Sequence, residues 1–194
     1  MANSTSITYR LKRKILSFTN KISLSLSKPD RKFTADMVYG ILSSKSCLLT
    51  DISDQLHESS RKANTVKRLS NHLAAGTPAS AAASYLRTVK KLVPSEPVVL
   101  IDESDVVKPD GKQFESLGIV RDGSESTQTK NVYKKGYHVT EACALTAHKH
   151  PISVFSRIHS SAEKDYKSVN TITFDAIKQA AALFGKATFV MDRG

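Results

Sequence analysis

The sequence predicts an α/β protein in which an all-helical amino-terminal half precedes a mixed sheet. Two observations carry this. Hydrophobic spacing is helical through the first half and changes to short apolar or alternating runs near residue 98. Charge divides at the same place: residues 1–96 hold 16 Lys and Arg against 6 Asp and Glu, a net of +10, whereas residues 97–194 hold 13 against 12, a net of +1.

The elements follow in order. Ile7, Leu11, Ile15, Phe18 and Ile22 recur at helical steps, although Ile22 to Leu26 also alternates like a strand, and Pro29 is expected to close this helix. A second helix is expected from a Thr34 cap with Met37, Val38, Ile41 and Leu42 inward, and a third from Thr50 to Glu58 with Ile52 and Leu56 buried. A fourth, Lys62 to Ala75, places Val66, Leu69 and Leu73 on one side and ends at Gly76. Its other sides carry Arg61, Lys62, Lys67, Arg68, Asn71 and His72. A short helix, a turn and a basic helix outline a helix-turn-helix, although a plain bundle with basic solvent faces fits equally. Residues 77–84 read as a flexible link, Tyr85 to Val93 as a fifth helix, and Pro94 and Pro97 as the boundary between domains 1–96 and 97–194.

Val98 to Ile101 reads as a strand buried on both faces. Residues 103–135 read as a polar excursion holding one short strand at Ser116 to Val120. Tyr137 to Ala147 and Ile152 to His159 form a hairpin. An amphipathic helix follows from Asn170 to Phe184, and a last strand from Ala187 to Met191 leads into Asp192. A helical crossover back to a central strand implies parallel pairing within the sheet.

The composition excludes several classes. With 40% hydrophobic residues, the 194-residue chain can build a packed core. No apolar run is long enough for a bilayer, the first residues lack the pattern of a secretory signal, and Cys47 and Cys143 are too few for a disulfide scaffold or a structural zinc site. A soluble, cytoplasmic protein with an anionic partner is expected. A half at +10 favours nucleic acid, because Lys and Arg displace counterions along a phosphate backbone.

Chemistry centres on two carboxylates. Asp102 follows the first strand and Asp192 the last. If those strands pair in parallel, both side chains emerge at one carboxyl-terminal edge, where open α/β sheets place their sites. Paired carboxylates there suit Mg²⁺ or Mn²⁺, and two such ions can clamp the oxygens of a phosphodiester during displacement. Any single Asp after a strand is equally a turn or cap residue. Glu103 should face away from Asp102, and Asp105 should be a solvated carboxylate. His138, His148, His150 and His159 are weak metal candidates, since His148 and His150 sit in a turn. Cys143 reads as a core residue. No phosphate-binding loop, dinucleotide fingerprint or nucleophile elbow is present.

The segments VVLIDESDVVKPDGKQFESLGIVRDGS, YKKGYHVTEACALTAHKHPISVFSRI and ATFVMDRG together resemble the core of bacterial insertion-sequence transposases of the DDE superfamily, in the insertion-sequence-four branch. The resemblance covers the whole chain. It implies a partial ribonuclease H-like sheet preceded by a helical domain that binds double-stranded DNA at element ends. It further implies Asp102 and Asp192 as the first two catalytic carboxylates, holding Mg²⁺ or Mn²⁺, with Arg193 and Gly194 matching the residues that follow the second. Lys134, Lys135 and His138 fall where such proteins present basic side chains to DNA. The family's third acidic residue, a Glu on a later helix, would fall downstream of Gly194. The resemblance therefore implies an amino-terminal portion of such an enzyme that does not itself catalyse transposition. The alternative is a truncated, inactive product that binds DNA and inhibits transposition. Self-association, or pairing with full-length transposase, is expected from an uncovered strand edge.

Overall fold

The computed structural model describes residues 4–192, with side chains from Tyr9 onward. It is a mixed α/β protein with six helices and one five-stranded mixed sheet among these residues. Contacts divide it into a helical unit up to Thr88 and a second unit from Val89, a few residues before the Pro94 and Pro97 boundary read from the sequence.

In the helical unit, α1 spans Ser4–Ile22. Its buried side is Ile15, Thr19 and Ile22, continued by Ser23 just past its end, while Leu11 and Phe18 of the expected stripe are exposed and the Ile7 side chain lies outside the described residues. The stripe is rotated because Thr19 and Ser23 can be buried at little cost. Their hydroxyls donate to carbonyls of their own helix, Leu16 at 3.1 Å and Thr19 at 2.6 Å.

Helix α2 is Lys28–Ser44 and starts six residues before the expected Thr34 cap. Ser27 caps it, accepting the Asp30 N–H at 3.3 Å. Pro29 therefore opens α2 rather than closing α1; in the first turn its missing N–H costs nothing. Thr34 instead donates to the Asp30 carbonyl at 2.9 Å. Helix α3 is Leu49–Leu56 and α4 is Lys62–Ala75, ended as expected at Gly76, whose φ of +80° suits glycine.

Phe33, Ile52 and Leu69, one from each of α2, α3 and α4, form the core, with Met37, Ile41, Leu49 and Leu56 packed around it. Leu42 and Leu73, expected inward, are exposed. Gly40 is buried in α2 where a Cβ would run into Ile52, so glycine sets how closely α2 and α3 approach. Helix α5 spans Ala79–Lys90, not Tyr85 to Val93. Half of residues 77–84, the expected flexible link, are alanine, the strongest helix former.

In the second unit, β1 (Val98–Val107) is much longer than its apolar start. Pairing with β3 (Tyr133–Leu145) runs antiparallel from Val99↔Ala144 to Val107↔Gly136, which carries the strand through its polar half. The start of β1 is buried on one face only: Val99 and Ile101 are inside, Val98 and Leu100 exposed. Strand β2 (Gly118–Arg121) pairs with the first residues of β3, and β4 (Pro151–His159) forms the expected hairpin with its remainder. Helix α6 (Val169–Phe184), capped by Ser168, packs Ile172, Ala176 and Ala180 toward the sheet. Strand β5 (Thr188–Met191) returns parallel to β1, in register Val98↔Thr188 to Ile101↔Met191. The path β2–β3–β1–β5 leaves β5 at an edge, with β4 joined to β3.

Candidate functional site

The parallel register fixes the acidic pair. Ile101 lies opposite Met191, so Asp102 and Asp192 occupy the next position on neighbouring strands. Both are exposed and border one cavity of about 480 Å³, together with Glu103 and with Asn170 and Thr173 from the first turns of α6. Asp102 lies within β1 rather than after it, at the first residue that β5 no longer accompanies. Its Oδ1 accepts the N–H of Glu103 at 2.9 Å, so the backbone orients the carboxylate.

The donors at this edge are hard oxygens, the kind Mg²⁺ or Mn²⁺ prefers. Two carboxylates supply part of a coordination shell. Among the described residues, no three His, Cys, Asp or Glu side chains converge as a metal-binding group. Arg193 and Gly194 lie outside the described residues. Asn170 and Thr173 are the polar neighbours that sequence reading missed. The α6 cap at Ser168 was their one local signal.

Asp105 is not a free solvated carboxylate. Its Oδ1 lies 2.7 Å from His138 Nδ1. Register explains the contact, because Asp105 faces His138 across β1 and β3, and His138 faces His159 across β3 and β4. The ring of His159 is fully buried, stacked 5.6 Å from His138 and 6.1 Å from Tyr166. Its Nε2 lies 2.8 Å from the Thr140 hydroxyl, and burial lowers its pKa below the ordinary histidine value. His148 and His150 are exposed, as expected for the hairpin turn.

In the helical unit, the basic residues divide into two groups. Arg68 is turned inward, to Asp36 at 2.7 Å and Glu58 at 3.1 Å. Glu58 also accepts from Lys32 and from the Thr65 hydroxyl; chiefly through the Lys32 hydrogen bond, its pKa is lowered to about 2. Lys62 pairs with Asp54 at 2.6 Å. His72 stacks on Phe33 at 4.9 Å and lies 3.8 Å from Asp30. Lys134, in the second unit, is held by Asp122 at 3.0 Å and by Glu125. These four of the eight basic or polar residues expected to meet DNA have partners within their own unit. Arg61, Lys67, Asn71 and Lys135 are exposed, with no ion pair among the described residues.

Comparison with known protein families and with curated proteins finds no match. Among the described residues, no helix is long and apolar enough to cross a membrane.

Proposed function

We propose that this chain contributes to DNA transposition of the DDE type: its helical unit binds double-stranded DNA at element ends, and its sheet supplies two of three metal-binding carboxylates. The observation that carries this reading is the shared cavity of Asp102 and Asp192, side by side where the parallel pairing of β1 and β5 ends. The antiparallel β1–β3–β4 run with a helix-linked return strand parallel to β1 supports a ribonuclease H-like reading of the sheet. The net of +10 over residues 1–96 supports a polyanionic partner for the helices.

Asp102 and Asp192 would hold the cation. When bound, Mg²⁺ or Mn²⁺ supplies the positive charge that favours ionisation of an attacking water or 3′-hydroxyl and stabilises the leaving oxygen. The chain's own contribution is geometric: a rigid strand pair sets the spacing of the carboxylates, and the Glu103 N–H orients one of them. Mn²⁺ titration by calorimetry tests this directly. Asp102→Asn and Asp192→Asn should each weaken binding about tenfold or more, as expected for loss of a charged ligand. Unchanged Mn²⁺ affinity in both variants would make the acidic pair structural.

The net of +10 over residues 1–96 equally supports a second reading, a DNA-binding inhibitor that does not cut. Adding the chain to a transposition assay run by a complete transposase of this type separates the two. Inhibition supports the second reading, and undiminished transposition rejects it.

A further inference from the structure

We propose that α4 acts as a base reader rather than a phosphate clamp, presenting Asn64, Lys67 and Asn71 to base edges in a DNA major groove. The proposal rests on the DNA-binding reading above and specifies what the helical unit recognises. At about 100° per residue, positions 64, 67 and 71 share one stripe of the helix. All three are exposed, and no side-chain partner engages them among the described residues.

The composition of that face decides between the two modes. A phosphate clamp needs several uncommitted cations. On α4, Lys62, Arg68 and His72 are directed to Asp54, Asp36 with Glu58, and Asp30, which leaves Lys67 as the single free cation beyond the Arg61 cap. What remains outward is hydrogen-bonding amides beside small residues, Ala63 and Ser70, which let a helix approach bases closely.

An Asn amide can pair with the N6 and N7 of adenine, and Lys with the O6 and N7 of guanine. Lys67 and Asn71 stand between two hollows of about 410 and 630 Å³ and border both. Ala63 and Val66, in the second hollow, offer apolar contact for a thymine methyl group. The inward ion pairs of Arg68 fix the rotation of the helix, as a reader requires and a diffuse electrostatic contact does not.

The test is a selection of duplexes from a randomised library by the whole chain, followed by affinity measurements on the enriched duplex and a shuffled one. Wild type should enrich a motif containing adenine. Asn64→Ala and Asn71→Ala should each bind the enriched duplex roughly 5- to 150-fold more weakly, since a good bidentate contact has about that discrimination. The shuffled duplex should be bound as before, and the salt slope should not change, because no charge is removed. The isosteric Asn71→Leu, checked by circular dichroism alongside the alanine variants, guards against a folding defect and should behave like Asn71→Ala. If duplex is bound but nothing is enriched, or the variants weaken both duplexes equally, DNA binding stands and base reading falls. No duplex binding even at about 50 mM salt, or preference for single strands, overturns both.

Discussion

Residues of one chemical type play opposite roles in this chain, and their partners rather than their identity decide which. Lys67 and Arg68 are adjacent and both basic, yet one is free and the other is bound to two carboxylates. Arg68→Ala should therefore destabilise the helical unit by about 1 kcal/mol, with Asp36 and Glu58 left to share Lys32. Lys67→Ala should stay within about 0.5 kcal/mol. Urea titration of the helical signal distinguishes the two, and equal effects would remove the inward role of Arg68. Sequence reading placed both on a DNA-facing side, because Asp36 and Glu58 are distant in the chain and no local pattern announces the contact.

Two titrations have defined signs. The Glu58 pKa falls from an ordinary 4.5 to about 2 in the fold, so its contribution is complete above 4.5 and disappears as pH drops toward 2. Glu58→Gln should flatten that acid limb of a stability profile. The pKa of His159 is also lowered, by burial, so its neutral form favours the fold above about 6.5. Stability should decline as pH falls below that value, by no more than about 1.4 kcal/mol per pH unit for one proton. Thermal melts between neutral and mildly acidic pH, with His159→Asn as reference, check this. A flat wild-type profile would mean that the ring is protonated in the fold.

At the level of elements, α4, the hairpin and α6 are legible because each is specified locally, by a glycine stop, a β-rich pair of runs or an apolar stripe. Helix α2 is not. Its true start depends on Ser27 reaching Asp30, and the Pro29 that suggested a break is a first-turn residue. Strand β1 runs beyond its apolar start because its polar half is held by the β3 register rather than by its own hydrophobicity. The close approach of α2 and α3 gives a prediction of the same tertiary kind. Gly40→Ala should destabilise the unit by roughly 1–3 kcal/mol through overpacking against Ile52. The loss should be smaller in an Ile52→Ala background, because the two positions share the same space. Additive losses in that double variant would show that the contact does not limit the packing.

For the whole molecule, the site was more readable than the surface around it. Asp102 and Asp192 could be paired from strand order alone, since a helical crossover constrains the return strand. Asn170 and Thr173 could not, since α6 carries them to the cavity, nor could the row Asp105–His138–His159, which depends on which residues a register brings opposite one another. Strand β5 has β1 on one side and no strand on the other among the described residues. Its Val190 is about half exposed. Self-association that grows with concentration is the expected outcome, and Val190→Lys should suppress it in sedimentation velocity. A wild-type chain that stays monomeric at all concentrations would show that the edge is already protected.

The unequal neighbours of β1 have a kinetic consequence. Up to Ile101 the strand lies between β3 and β5, whereas from Asp102 to Val107 its β5-side edge has no paired strand among the described residues. Hydrogen exchange along this one strand should accordingly change rhythm. Amides should be uniformly slow before the step and alternate between slow and fast beyond it, except where Asp102 captures the N–H of Glu103. The position of that step, read residue by residue in solution, would mark the carboxyl edge of the paired strands and locate Asp102 without any ligand being added.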